Sequence, residues 1–449
     1  MAFPALELQR RLRATGIGFA GLHGAWWRPA AEPFALPASA EEELRAISRA
    51  LFTLFDAVAA LYGADPDLTA LLNDSVPAAI PRWVSPRPVL GLRPDFQLDL
   101  QPDGQYRFWA TELEICPSAH GFAHAMQSAY GLDRDLARTY AGWLAGRELW
   151  FAGSAQWSEF LIEQLAFCRA LAEHGARGRV LFDLPLDVIA REFEAGQRWQ
   201  PPMFGVRRRP AEWDTDLLSR LRRDELLDYA WNTADWPPVL GDDAAVFRFG
   251  YFDCFAPERL ACFPRWEAAG AAPLNPATFY LDSKVLLAAA RQPAVLEQAA
   301  ALDPAAPAVL ARCLPETVLL RDQEIPRLLA ERDQWILKFA GFDSGQQTWG
   351  GRSLQIGAAH TAASWAETVR RYRTLPFPTV AQRLTPSQQV TIAFFDTAGR
   401  RQKLPAGTTR LRAFFLRGQP PAGCHLTVSG GSRQVSEATD AVQAPVIFQ

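Results

Sequence analysis

RPDFQLDLQPDGQYRFWATELEICP, residues 93–117, reads as a β-hairpin. Phe96, Leu98 and Leu100 alternate with Asp95, Gln97 and Asp99, and Leu113 and Ile115 alternate with Glu112, Glu114 and Cys116. Successive strand side chains point to opposite faces, so each strand has one apolar and one acidic face. Pro102-Asp103-Gly104 lies between them as a turn signal, with Gly supplying the φ > 0 position. With Asp103-Gly104 as a two-residue loop, Asp95 falls opposite Glu112 and Arg93 opposite Glu114. Carboxylates placed face to face repel. Two readings account for them: a solvated hairpin face, or a site for a divalent cation, because Mg²⁺ takes carboxylate oxygens and substrate phosphates.

The length of 449 residues suggests two to four domains or one multi-lobed enzyme, and 49% hydrophobic content is ample for large cores. A net charge of −3 gives no electrostatic case for nucleic acid or an anionic membrane. No uncharged apolar run reaches about 18 residues, so no transmembrane helix is expected. The start of the chain lacks an apolar stretch after its basic residues, so no signal peptide is expected. Six scattered cysteines without a CxxC pair favour reduced thiols and a cytoplasmic location over a disulfide frame or zinc site. Of 46 basic residues only three are lysines: Lys284, Lys338 and Lys403. In a chain so biased toward arginine, a lysine persists by chance or where a compact ammonium is needed and a planar guanidinium does not fit.

Along the chain, residues 1–38 read as irregular. Ser39-Ala-Glu-Glu42 is a capping-box signature that opens a helix with Leu44, Ile47, Leu51, Phe55, Val58 and Leu61 on one face, ending at Gly63. A helix is expected from Ser118 to about residue 130; His120 and His124, four apart, are a packed or surface pair or share a ligand. Alternating strands and helices over 146–270 imply a partly parallel sheet: strands at 178–183 and 244–249, helices at 156–174, 185–193 and 257–269. No GxGxxG follows a strand. The arginine run 207–209 reads as a solvated loop. Beyond 271, strands are expected at 314–320, 334–338, 354–357, 379–383, 389–396 and 409–416, with a second capping box at Ser364–Glu367.

Lys338 ends a strand just before a glycine-rich loop, Gly341 to Gly351. Backbone N–H groups of such a loop can fold over phosphate oxygens, since Gly permits close approach and positive φ. It is not a Walker A loop, and alone it reads equally as a surface hairpin.

Taken jointly, these pieces resemble the ATP-grasp superfamily in circularly permuted order, as in its glutathionylspermidine-synthase-like branch. The resemblance rests on Arg93-x-Asp95-Phe96-x-x-Asp99 … Gly104 … Glu112-x-Glu114-x-x-Pro117, then Asp282-Ser-Lys284, then Trp335-Ile-Leu-Lys338, the glycine loop and Ala381-Gln382-Arg383, and it touches about 70–449. It implies a mixed α+β and α/β fold. Residues 1–145 would carry the metal-binding hairpin, 146–270 a pre-ATP-grasp-like α/β domain, and 271–449 the lysines, glycine loop and C-terminal strands.

By the same resemblance Asp95, Glu112 and Glu114 are the Mg²⁺ ligands, and Arg93 lies beside the transferred phosphate. Lys284, Lys338, Gly345, Gly350, Gly351 and Gln382 bind ATP. Arg410 and Arg412, on one face of their strand, are candidates for holding an acyl phosphate, with a solvated face as the alternative. Glu114 stands where the family has Asn, Ser118 where it commonly has Gly, and the 423–429 stretch lacks the late arginine, for which His425 is a candidate substitute. The implied activity is an ADP-forming ligase joining a small-molecule or peptide carboxylate to an amine or thiol. Two alternatives stand beside it: a degenerate ATP-binding protein and a phosphotransferase on the same scaffold.

Overall fold

The computed structural model describes residues 4–15, 27–133, 135–154, 161–182, 228–231, 236–342, 353–396, 399–430 and 441–449. The glycine loop (Gly345, Gly350 and Gly351), the expected helix 185–193, the arginine run 207–209 and the start of the helix expected from 156 lie outside them. The described chain is mixed α/β with three sheets. In chain order the strands are β1 (Trp27–Pro29), β2 (Phe34–Leu36), β3 (Gly91–Leu100), β4 (Tyr106–Glu114), β5 (Glu148–Gly153), β6 (Arg177–Phe182), β7 (Ala244–Phe249) and β8 (Ala272–Pro273). There follow β9 (Thr317–Leu319), β10 (Trp335–Phe339), β11 (Gln355–Ile356), β12 (Thr379–Arg383), β13 (Gln389–Phe395), β14 (Arg401–Leu416), β15 (Gly423–Ser429) and β16 (Ala441–Phe448).

The hairpin β3–β4 sits at one end of an eight-stranded sheet ordered β1-β16-β15-β14-β3-β4, with β13 on β14 and β2 on β16. This sheet therefore draws strands from both the 1–145 and the 271–449 segments. A second sheet, β6-β5-β7-β8, is all parallel. The helix Leu161–Glu173 connects β5 to β6, and every residue of β7 is buried, as expected of a strand covered on both faces. The third sheet, β11-β10-β12-β9, is antiparallel and carries Lys338.

The hairpin pairs Asp95 with Glu112 and Arg93 with Glu114, as its alternation predicts, but by a different route. Its turn holds three residues, Pro102 to Gly104: the Gln101 N–H donates to Gln105 O at 2.8 Å and Gly104 adopts φ +82°. That would shift every pair by one. A β-bulge at Thr111, between the Phe96–Ala110 and Asp95–Glu112 pairs, shifts the register back. Away from the polar face, Phe96 packs edge-on to Phe108 (5.9 Å) and lies 6.3 Å from Phe415 in the core.

Both expected capping boxes move. The first helix runs Ala38–Leu61 with Pro37 at its N-cap and no side-chain cap; Ser39 Oγ instead donates to Gln105 Oε1. Leu44, Ile47, Leu51, Phe55 and Val58 are buried as its periodicity predicts, each worth about 1.5–3 kcal/mol relative to exposure. The later helix is Ala362–Thr374, capped by Thr361, which accepts from Ser364 N at 3.2 Å. Helix Ala5–Ala14 and strands β1, β2, β5, β15 and β16 were not expected. Among the described residues no helix is long and apolar enough to cross a membrane. All six cysteines are buried, and none is joined in a disulfide.

Candidate active site

Sequence-distant segments meet at the open end of the hairpin. On the antiparallel β10–β12 pair, Ile336 faces Gln382 and Lys338 faces Val380, so Lys338 and Gln382 share one face. Both donate to the carbonyl of the bulge residue Thr111, Lys338 Nζ at 3.1 Å and Gln382 Nε2 at 3.4 Å. The bulge thus does two things: it restores the carboxylate pairing and leaves its own carbonyl to the lysine sheet. Lys284 arrives from a third segment, with Nζ 3.7 Å from Glu112 Oε1 and its backbone N–H on Ala340 O at 2.7 Å.

The loop before Lys284 is anchored from the parallel sheet. Arg248 on β7 forms two bonds to the Asp282 carboxylate, at 2.9 and 2.7 Å, and also donates to Gly250 O. Asp282 accepts the Phe252 N–H at 3.0 Å as well. Gly341, just after β10, closes the junction. Its φ is +141°, and a Cβ there would lie 2.7 Å from Asp282 O, so no other residue fits.

Beside the carboxylates lies an arginine cluster on one face of the large sheet. Arg412 pairs with Asp95 across β14–β3. Asp95 is buried, and its oxygens face three guanidinium groups: Arg93 (Nε 3.2 Å), Arg410 (3.6 Å) and Arg412 (3.6 Å). Burial alone would raise its pKa; Arg93, Arg412 and Arg410 instead hold it well below the usual carboxylate range. Arg93 also donates to Ser118 O at 2.7 Å and lies over the Phe414 ring.

Glu114 keeps some accessible surface but is ringed by protein. That desolvation, with Glu112 and Asp95 nearby, pushes it up to about 7 against the pull of Arg93 and Lys284. Burial brings Lys338 down to about 8. The Tyr251 hydroxyl is raised well above its ordinary value by burial and by the charge of Glu114.

Arg93, Asp95, Glu112, Glu114, Lys284, Lys338, Gln382, Arg410 and Arg412 therefore belong to one continuous assembly, while the glycines of the expected phosphate loop lie outside the described residues. Asp95 enters it differently from a plain cation ligand, because its carboxylate faces arginines. Among the described residues no three His, Cys, Asp or Glu side chains form a cage for a metal. A phosphate-borne Mg²⁺ needs fewer, since it keeps waters and takes one or two carboxylates plus phosphate oxygens. Glu112 and Glu114 fit that demand: their mutual repulsion is what a cation relieves. His120 and His124 turn to different protein partners, His120 Nε2 lying 2.9 Å from the Tyr140 hydroxyl. His120 is enclosed by Tyr140, Phe151, Phe167, Phe247 and Phe414, and His124 Nδ1 meets Asp135 Oδ1 at 2.8 Å.

Thr111, Arg248 and Tyr251 were not singled out in the sequence. Arg248 left a signal: it is the one charged residue in Ala-Ala-Val-Phe-Arg-Phe, otherwise a buried apolar strand.

No protein-family model matches this sequence, and no curated protein matches it. Among solved structures, the apo form of a glutathione synthetase-like effector from Globodera pallida aligns with a TM-score of 0.48 at 13% identity, covering 99% of this chain and 96% of that one. A candidate gamma-glutamylcysteine synthetase from Methylobacillus flagellatus KT aligns with a TM-score of 0.38 at 10% identity, covering 88% and 86% respectively. At such scores neither likeness bears on function.

Proposed function

We propose that this protein is an ATP-dependent carboxylate–amine ligase with the ATP-grasp arrangement in permuted order, releasing ADP and phosphate. The observation that carries the proposal is the convergence of Lys284 and Lys338, two of only three lysines in the chain, on the carboxylate-bearing end of one hairpin. Two ammonium groups beside paired carboxylates match a bound polyphosphate with its cation better than a solvated strand face.

In this reading the lysines hold the α- and β-phosphates. Glu112 and Glu114 would hold Mg²⁺, which supplies neutralisation of phosphate charge when bound. The substrate carboxylate oxygen attacks the γ-phosphorus, ADP departs, and an acyl phosphate forms. Attack of a neutral amine on the acyl carbon then expels phosphate, and the nitrogen loses its proton as the amide forms. Arg93, Arg410 and Arg412 favour the dianionic acyl phosphate; they act by preorganised charge and need no reorganisation during the step. No covalent enzyme intermediate is required. Cys116 is not suited to one, because burial raises its thiol well above the ordinary value.

The test is an ADP-release assay over panels of carboxylates and amines, with products read by mass spectrometry. Ligation yields phosphate and an amide. A phosphorylated alcohol would replace the proposal with a phosphotransferase, and nucleotide binding without turnover would replace it with a degenerate binder. If Lys338→Met and Glu112→Gln both left ATP binding unchanged, the site itself would be misassigned.

A further inference from the structure

We propose that His425, as the neutral Nδ1–H tautomer, is a positioning residue that sets the Arg412 guanidinium against Asp95. Its consequence for turnover rests on the ligase reading above, whereas the hydrogen-bond assignment does not.

Arg412 Nη1 lies 3.2 Å from His425 Nε2 and 3.3 Å from Thr427 Oγ1. A guanidinium has donors only, so Nε2 must present its lone pair and the ring proton must sit on Nδ1. Thr427 is committed in the same sense. Its hydroxyl proton goes to Gln443 Oε1 at 2.9 Å, which leaves its lone pairs for Arg412. Arg412 is therefore the source of donation in both directions: through Thr427 to Gln443 across β15 and β16, and toward the Asp95 carboxylate on β3. His425 stands directly opposite Arg412 in the β14–β15 register, as the second acceptor.

The cost of this arrangement shows on the other side of the ring. His425 is fully buried, and its Nδ1 has no hydrogen-bond partner. The neighbouring rings are Phe122, perpendicular at 5.2 Å, and Phe414 at 6.5 Å. An imidazole with an orphaned N–H among phenyl rings is a poor choice for packing alone. It makes sense where the other nitrogen is needed. Protonation would destroy the acceptor and add a fourth cation beside Arg412, Arg93 and Arg410, where Asp95 faces all three and Glu114 lies across from Arg93. Burial and those arginines push the imidazole well below its ordinary value.

The experiment uses the full chain with ¹⁵N-labelled histidine, the His425 signals being identified by their loss in His425→Gln. The expected spectrum has a protonated Nδ1 and an unprotonated Nε2, unchanged from about pH 5.5 to about pH 8.5, a range that brackets the ordinary histidine pKa. A protonated Nε2, or titration within that range, overturns the proposal whatever the protein's activity. In the kinetic arm, His425→Gln restores an acceptor near the Nε2 position and keeps near-wild-type turnover. His425→Leu lowers kcat by about 10–100-fold, the usual loss for a displaced supporting partner, while ATP affinity and the thermal midpoint stay close to wild type. Equal kinetics for the Gln and Leu variants, or a Leu effect matched by loss of ATP affinity and folding, refutes the positioning role. Absence of ligation by the wild type would sink the ligase reading and leave the spectroscopic result to decide the tautomer.

Discussion

Removing one partner of the Arg248–Asp282 pair tests how the lysine loop is held. Both side chains are buried; Asp282 receives two guanidinium bonds and one backbone N–H, and Arg248 also serves Gly250 O. In Asp282→Asn the amide still accepts from Phe252, but the guanidinium loses its counter-charge in a dry site. Breaking a buried pair this way costs about 3–5 kcal/mol. In Arg248→Met the carboxylate is stranded with only the Phe252 N–H, at a cost of similar size near pH 8. The pH dependence has a definite sign. Without Arg248, burial raises the folded pKa of Asp282 above its unfolded value of about 3.9. The folded state then keeps a proton that the unfolded chain releases, so the variant is least damaged at acid pH and loses stability as pH rises. The double variant has no stranded charge, so its loss should be smaller than the sum of the single losses by at least about 2 kcal/mol. Guanidinium denaturation followed by tryptophan fluorescence, at pH 5 and pH 8, measures all four corners. Additivity within about 0.5 kcal/mol would show that the two residues do not act as a unit, and the argument would fail. In the ATP-binding assay, Asp282→Asn should weaken binding even where the protein remains folded, because Lys284 lies two residues along the same loop.

Glu114→Gln should stabilise the ligand-free protein by about 1–2 kcal/mol at pH 8, after allowance for partial solvent screening. The wild-type carboxyl titrates at about 7 in the fold, so it binds a proton more tightly folded than unfolded. Its stability contribution is present below about pH 4.5 and is lost as pH rises through about 7, so the advantage of Gln should vanish in acid denaturation curves. Deleting Thr111 should leave Asp95 opposite Glu112, now without the bulge, while removing the carbonyl shared by Lys338 and Gln382. Stability should fall by about 1.5–4.5 kcal/mol for three lost hydrogen bonds, the third being from the Thr111 hydroxyl to Asp95 O, and an ATP affinity equal to wild type would contradict the role given to the bulge. Thr361→Ala should cost about 1 kcal/mol as a lost N-cap; Ser39→Ala, which caps nothing, should lie within about 0.5 kcal/mol of wild type by thermal melting.

The acidic hairpin was legible because facing carboxylates are costly and therefore informative, and the two site lysines were legible because arginine replaces lysine almost everywhere else. The Asp95–Glu112 pairing was anticipated from a two-residue loop; the fold reaches it by two offsets that cancel, an extra residue in the turn and another at Thr111. Local pattern cannot see that compensation. Nor can it see β15, whose seven residues are all buried and so lack alternation, or the bonds that tie Arg248 to Asp282. The capping boxes failed for a related reason. Ser39 and Ser364 carry the right spacing, but Pro37 and Thr361 sit where the chain actually turns into each helix.

The pairing of β3 with β14 joins residues more than 300 positions apart, and this sets an order of events during synthesis. At about 5–20 residues per second, β14 emerges from the ribosome ~15–60 s after the hairpin. The parallel sheet β5–β8 is complete well before then. Throughout that interval β3 presents an unpaired edge, and Leu92, Phe96 and Leu98 lack their cover. Such an edge recruits other strands. Nascent chains stalled before residue 401 should therefore aggregate or occupy chaperones, whereas supplying a 401–449 fragment in trans should lower their aggregation by closing the edge.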